Sequence, residues 1–487
     1  MLCKNRFSMY FCEKYYAYAI PKKNNAKKMW RILKTFHERH LDKKNTMRSG
    51  IKLRCVCILA LFTGILVSCT NELTPKRQTM RLDSEWMNFA PVGLMIDLWE
   101  TLTVPFEVIM PERVGNYLMK AEYTLNEKRD IPVKQPLYLF IGTYTSGTST
   151  GIYVYRFDEE TGEATYVSEV KAVNPSYLAV SIDRRFVYSV SESGRDAAIA
   201  YAFTFDEKAG VLSLLNSQPT KGAAPCYISA DPSGRFVVTA NYSGGNVSVF
   251  PLADDGSLLP AEKVFDFEGS GPDAKRQDMP HLHCAVFSPD ARYLFAADLG
   301  TDRLHKFTTS GTTPFLTTGS PEAYSLEPGS GPRHLTFHPN GKYAYLINEL
   351  SGKVTVFRYS EGQLEPVQYI ASDMSEGIGD KGSADIHVSP DGKFLYASNR
   401  ANTNDIAIFS IHATDGRLSL VGQQPTGLHP RNFIITPNGK YLLTACQNSN
   451  RIQIFAIERQ TGLLKEDEAK QITDVDRPVC LKFSNYP

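Results

Sequence analysis

The sequence predicts an all-β chain: a seven-bladed β-propeller closed by its C-terminal strand and preceded by an N-terminal signal and a poorly defined extension. Three observations predict it. A tight turn of the Pro-Asp-Gly-Lys kind recurs through the C-terminal two thirds, at Asp231–Arg235, Ser288–Arg292, His338–Lys342, Ser389–Lys393 and Thr436–Lys440, with a degenerate copy at Ser181–Arg185. Pro presets φ and Gly accepts φ > 0, the turn chemistry that joins two antiparallel strands. An aromatic follows each turn, at Phe186, Phe236, Tyr293, Tyr343, Phe394 and Tyr441, at intervals of 50, 57, 50, 51 and 47 residues. The third observation is a repeat split between the two ends of the chain.

Each unit reads strand A, turn, strand B, loop, strand C, turn, strand D. The stretch Pro332–Glu349 is the model copy: Leu335-Thr336-Phe337 before the turn, and Tyr343-Ala344-Tyr345-Leu346-Ile347 after it, are β-rich runs. The C–D turns are Asp206–Gly210, Asp254–Leu258, Glu361–Gly362, Asp415–Gly416 and Thr461–Gly462. Four antiparallel strands per fifty residues make a propeller blade. The chain ends on Pro478–Ser484, which matches a strand A alone, while Leu137–Thr143, Gly151–Phe157 and Ala164–Ser168 match B, C and D. Six whole repeats and this split one give seven blades without an open seam.

Four segments are expected before and within this frame. Residues 1–46 are basic and aromatic without a period, and Met47 is a better start. Residues 47–69 read as a lipoprotein-type signal: Arg48, Lys52 and Arg54, then the apolar run Cys55–Val67, then Leu66-Val67-Ser68-Cys69. Lipidation of Cys69 would place the chain in the cell envelope on a membrane; otherwise it would be cytoplasmic. Residues 70–135 are a linker or a partly helical extension, and 136–487 are the propeller. The 487-residue chain carries a net charge of +1, which argues against a general nucleic-acid binder. No long apolar run outside the N-terminal region suggests a multi-span membrane protein. Cys226, Cys284, Cys446 and Cys480 read as small buried fillers rather than a disulfide framework.

In such a blade the start of A, the end of B and the B–C and D–A loops share one face. The turns on the other face are short and uniform. On the first face the D–A connections are irregular, at Gly269–Pro280, Glu327–Gly331 and Ser372–Ser383, and irregular loops on a regular scaffold carry function. Strand A is innermost, so its first residues and the ends of B converge on the channel mouth. That rim collects His281, His283, Arg333, His334, Glu349, His387, Arg400 and Arg431. Three Arg with several His and one Glu describe a site for an anionic, oxygen-rich small molecule. The bland alternatives are satisfied strand histidines, solvated arginines and a Glu349 that only neutralises Arg333. His281 and His283, two apart on a strand, would face one side as metal ligands, but no third ligand at a known spacing accompanies them, so no metal is expected. Asp298 and Asp302 are candidate caps of a B–C turn.

These motifs resemble the seven-bladed-propeller lactonase family, which includes bacterial 6-phosphogluconolactonases and fungal muconate-lactonizing enzymes. The matching pieces are Gly142–Thr145 with Gly151–Tyr153, Pro280–His283 with Ser288–Asp290, Asp298–Asp302, Gly331–His334 with Asn348-Glu349, Asp385–His387 with Ser398–Arg400, and Pro430–Phe433. The resemblance covers 137–487. It implies catalytic roles for His283, Arg333, Glu349 and Arg400, carried over from the muconate branch, with His281, His334, His387 and Arg431 as substrate-binding support. It implies no cofactor. The activity it implies is hydrolysis of a sugar lactone, foremost 6-phospho-D-glucono-1,5-lactone, with Glu349 or His283 as base and Arg333 and Arg400 holding the anion and the developing oxyanion. The export signal departs from a cytoplasmic 6-phosphogluconolactonase. The rival readings are a muconate-type cycloisomerase and a non-catalytic binding propeller; recurring Trp-Asp pairs of the interaction type are absent.

Overall fold

The computed structural model describes residues 136–376, 381–466 and 470–485, together with two short strands, Thr79–Arg81 and Glu107–Ile109. The chain divides into two units, Met1–Val133 and Lys134–Pro487. Within the first, the two short strands pair in parallel. Residues 1–46, the expected signal with Cys69, and the rest of 70–135 lie outside the described residues.

The second unit is built from seven four-stranded antiparallel sheets. Blade 1 runs Leu178–Val180, Phe186–Ser191, Ile199–Asp206 and Val211–Pro219, and the following five repeat that order. Blade 7 is the composite one: Pro478–Phe483 pairs antiparallel with Leu137–Thr143, followed by Gly151–Phe157 and Ala164–Lys171. The C-terminal strand is thus the innermost strand of the blade that the N-terminal strands complete, as the split repeat predicts.

Burial follows strand order. Strand B is buried along its length in Phe236–Asn241, Tyr343–Asn348 and Phe394–Asn399, whereas D strands such as Val211–Pro219 expose alternate residues. Apolar faces of neighbouring blades pack on each other: Tyr138, Phe140 and Val154 of blade 7 share one cluster with Tyr188 and Phe203 of blade 1. The aromatic that follows each A–B turn explains itself here. Tyr343 of blade 4 lies against Gly416 in the C–D turn of blade 5, where a Cβ would come within 2.4 Å of the ring. Phe394 meets Gly462 in the same way. Two residues further along the strand, Tyr345 and Tyr396 donate their hydroxyls to the carbonyls of Gly416 (3.0 Å) and Gly462 (2.9 Å). The periodic aromatic and the periodic glycine are two halves of one interblade joint.

The first residue of the A–B turn also has a stated job. Ser389 Oγ donates to Asp391 at 2.7 Å and accepts from the Phe394 amide at 3.0 Å, and Ser288 repeats this with Asp290 and Tyr293. The turn demands a left-handed residue at its fourth position: Gly392 has φ 71°, and Ala291, standing where glycine is usual, is held at 55°.

Candidate active site

Strand A does not enter its blade as regular β. In six blades its register shifts after the first residue: between Pro225 and Tyr227, Leu282 and Cys284, Pro332 and His334, Ser383 and Ile386, Pro430 and Asn432, and Pro478 and Cys480. The extra residue of such a bulge leaves the ladder and its side chain is re-aimed. The re-aimed residues include Cys226, His283, Arg333 and Arg431. The residue just past strand B supplies a second ring of groups: Glu192, Tyr242, Glu349 and Arg400. A cavity of about 220 Å³ opens among them, lined by Cys226, His283 and Arg431 from the bulges, by all four residues past B, and by Arg276.

Glu349 is its electrostatic centre. Oε2 accepts from Arg333 Nε at 2.9 Å and Arg400 Nη2 at 2.7 Å, and Oε1 meets Arg276 Nη2 at 2.5 Å. Burial alone would raise its pKa; Arg400, Arg333 and Arg276 outweigh burial and hold the carboxyl well below the ordinary range. The carboxylate is therefore ionised and weakly basic. Burial lowers the Arg400 guanidinium to about 9, opposed by Glu349, so it stays charged at neutral pH. His283 Nε2 stands 3.8 Å from Glu349 Oε2, and its Nδ1 is 3.7 Å from Cys226 Sγ. Burial foremost, then Arg333 and His334, push this imidazole well below its usual value, so it is neutral with a lone pair to offer. Arg431 Nη2 pairs with Glu192 at 3.4 Å and its guanidinium lies over the Tyr144 ring at 5.4 Å.

The remaining sequence-predicted residues surround the cavity without lining it. His281 lies flat on Tyr242, centroids 4.4 Å apart, and its amide donates to Asp298 Oδ1 at 2.7 Å. The bulge at His283 breaks the alternation that would put His281 and His283 on one side: one stacks on Tyr242, the other turns to Cys226 and Glu349. Among the described residues no group of three or more His, Cys, Asp or Glu is arranged to hold a metal ion. His334 and His387 share a buried partner, Asp385: His334 Nδ1 is 2.7 Å from Oδ1, and His387 Nε2 is 3.0 Å from Oδ2. Burial foremost, then Arg333, lowers His334 to about 3, so it donates from Nδ1 to Asp385 as a neutral ring. Its Nε2 then accepts from Arg333 Nη1 at 3.2 Å, which fixes the guanidinium from behind. Asp298 does cap its turn, through Gly300 and Thr301; Asp302 instead accepts from Gly329 and Gly331, tying down the loop that leads to Arg333.

Arg276, Tyr242, Glu192, Asp385 and Cys226 are not among the site residues that the sequence nominates. Glu192 and Tyr242 occupy the position equivalent to Glu349 and Arg400, so the repeat itself could have nominated them. Cys226 is buried, as expected of a filler, but it sits at a bulge and faces His283. Arg276 comes from the irregular Gly269–Pro280 loop, where no periodic signal reaches.

Comparison with known proteins identifies the family. The profile of the family described as "Lactonase, 7-bladed beta-propeller" matches residues 138–483. A 6-phosphogluconolactonase of Formosa agariphila is 43% identical over 339 residues, covering 67% of this chain and 94% of the relative. The crystal structure of a Bacteroides fragilis protein, proposed there to be a 6-phosphogluconolactonase, is 53% identical with a TM-score of 0.69, covering 72% of this chain and 99% of that one. The periplasmic gluconolactonase PpgL of Pseudomonas aeruginosa is 35% identical with a TM-score of 0.67, covering 71% and 99%. With the profile spanning the whole ring, this chain belongs to the seven-bladed β-propeller lactonase family and is by that membership a lactone hydrolase.

Proposed function

We propose that the substrate is an anionic sugar lactone, 6-phospho-D-glucono-1,5-lactone, opened to 6-phosphogluconate. The observation that carries this is the charge of the cavity. Four guanidinium groups, of Arg276, Arg333, Arg400 and Arg431, face two carboxylates, of Glu349 and Glu192, and the neighbouring His283 is neutral. The surplus of positive charge suits a phosphate monoester, which carries about −1.5 to −2 at neutral pH. An uncharged lactone has no use for it.

The chemistry follows from the same groups. Water attacks the lactone carbonyl carbon while the neutral imidazole of His283 takes its proton. Glu349, with three guanidinium partners, is too weak a base for that step and serves as their counter-ion. It also stabilises the imidazolium as it forms. Arg333 and Arg400 meet the negative charge that builds on the carbonyl oxygen. The bond from the carbonyl carbon to the ring oxygen then breaks, and the imidazolium returns its proton to that oxygen as the new hydroxyl. No cofactor enters.

A second reading has one observation in its favour. Leu66–Cys69 reads as an export signal, and PpgL is a periplasmic gluconolactonase. A lipid-anchored copy at Cys69 would meet an unphosphorylated aldonolactone instead. The two readings separate when the full chain is assayed on freshly prepared 6-phosphogluconolactone and gluconolactone, each corrected for spontaneous opening. A kcat/KM higher on the phosphorylated lactone supports the first, the reverse order supports the second, and no turnover of either overturns both.

A further inference from the structure

The four guanidinium groups lie at different depths, with Arg276, Arg400 and Arg431 lining the cavity and Arg333 behind Glu349. The Arg333 side chain is 2% exposed, Arg400 9%, Arg431 14% and Arg276 29%. Arg276 is also the one carried neither by a strand nor by the residue that follows one. It is carried by the connection between blades 2 and 3, the interval where the repeat lengthens to 57 residues.

That connection is a built loop. Gln277 is fully buried, and its Nε2 donates to the Leu299 carbonyl at 2.9 Å, fastening the loop to blade 3. Its Oε1 accepts from the Asp273 amide at 3.2 Å, its own amide donates to the Asp273 carbonyl at 2.7 Å, and Gly271 donates to the Gln277 carbonyl at 2.9 Å. Gly271 lies so close to the Gln277 amide that a Cβ there would come within 2.5 Å of it. Asp273 Oδ1 accepts from the Arg276 amide at 3.2 Å. The loop therefore holds Arg276 over the cavity from one side, while Nη2 reaches Glu349 and, at 3.5 Å, the Tyr242 hydroxyl.

The geometry points to Arg276 as a specificity-determining residue, the lip of a subsite for the phosphoryl end of the substrate, positioned by Gln277. The inference rests on the reading of the cavity as a site for a phosphorylated lactone. The reacting carbonyl belongs beside His283 and Arg333 at the bottom. The far end of a six-carbon lactone then projects toward the mouth, where Arg276 is the cation it meets. A planar guanidinium is suited to a phosphoryl group, and a charge-assisted hydrogen bond lost there costs affinity about 10–100-fold.

The experiment compares the full-length wild type with Arg276→Gln, Arg276→Lys and Gln277→Ala in two measurements. One is the ratio of kcat/KM on 6-phosphogluconolactone to that on gluconolactone. The other is calorimetric affinity for the products 6-phosphogluconate and gluconate, which needs no turnover. Arg276→Gln should lower the ratio, and the preference for 6-phosphogluconate over gluconate, by about 10–100-fold. Arg276→Lys should recover part of both, and Gln277→Ala should move them in the direction of Arg276→Gln. Equal losses on phosphorylated and unphosphorylated ligands would make Arg276 only a prop for Glu349 and overturn the subsite. A wild type that turns over neither lactone would overturn the proposed function instead, and the subsite would then stand or fall on the product affinities alone.

Discussion

Glu349 bears a charge that burial opposes and that three guanidinium groups stabilise, so its removal leaves buried cations without a counter-ion. Breaking a buried pair costs about 3–5 kcal/mol. Glu349→Gln should lower stability by that order in urea titration, in addition to its effect on turnover; a loss under about 1 kcal/mol would mean that the arginines relax into water. Stability should also respond to His334. Its ordinary value is 6.5 and its folded value about 3, so between those limits the unfolded chain binds a proton that the native chain does not. This contribution is in full force above pH 6.5 and is lost as pH falls toward 3. His334→Gln should flatten that stretch of the stability–pH curve, and an unchanged slope would contradict a neutral buried ring. His283 makes the parallel case for activity: because its imidazole is held below 6.5, kcat/KM should stay level from pH 8 to pH 6.5 and decline only at lower pH. An acid limb centred above 6.5 would remove His283 as base. At this scale the sequence was informative where a residue had a periodic address. His283, Arg333, Glu349 and Arg400 lie at strand ends that the repeat marks, and they meet within one network. Of the support residues Arg431 lines the same cavity, whereas His281, His334 and His387 do not: the strand bulges send His281 to Tyr242 and His334 to Asp385.

At the scale of the element, the turns carry two separable demands. Gly234 and Gly416 both have φ 72°, but a Cβ on Gly234 meets nothing within 4 Å, whereas on Gly416 it comes within 2.4 Å of the Tyr343 ring. Gly234→Ala should therefore cost about 1–2 kcal/mol, the strain of a left-handed residue alone. Gly416→Ala adds overpacking of an interblade joint, about 1–3 kcal/mol more. Thermal melts of the two variants check this, and equal shifts would deny that the periodic aromatic and glycine form a joint. The turn sequence was legible because its chemistry is local. The Gly269–Pro280 loop was not: its path is set by Gln277 reaching a carbonyl in the next blade, a contact that local sequence does not announce.

For the whole ring, the pairing of Pro478–Phe483 with Leu137–Thr143 is the closure that leaves no sheet edge at the seam. A chain truncated after Arg477 should lose its single cooperative unfolding transition, followed by near-ultraviolet circular dichroism. An unaltered transition would show that the ring does not depend on its closing strand. Blade count and closure were readable from the two ends of the chain, because a split repeat can be completed in only one way. The surplus of positive charge at the channel mouth was readable from the repeat, in three arginines and Glu349; Arg276 and Glu192, which add one charge of each sign, had to be seen in place. The most direct test of the catalytic site is the opening of 6-phosphogluconolactone by full-length wild type and His283→Ala, side by side and above the spontaneous rate. The prediction is rapid turnover by the wild type and a kcat lower by about 10²–10⁴-fold in the variant. Equal rates in the two proteins would contradict it.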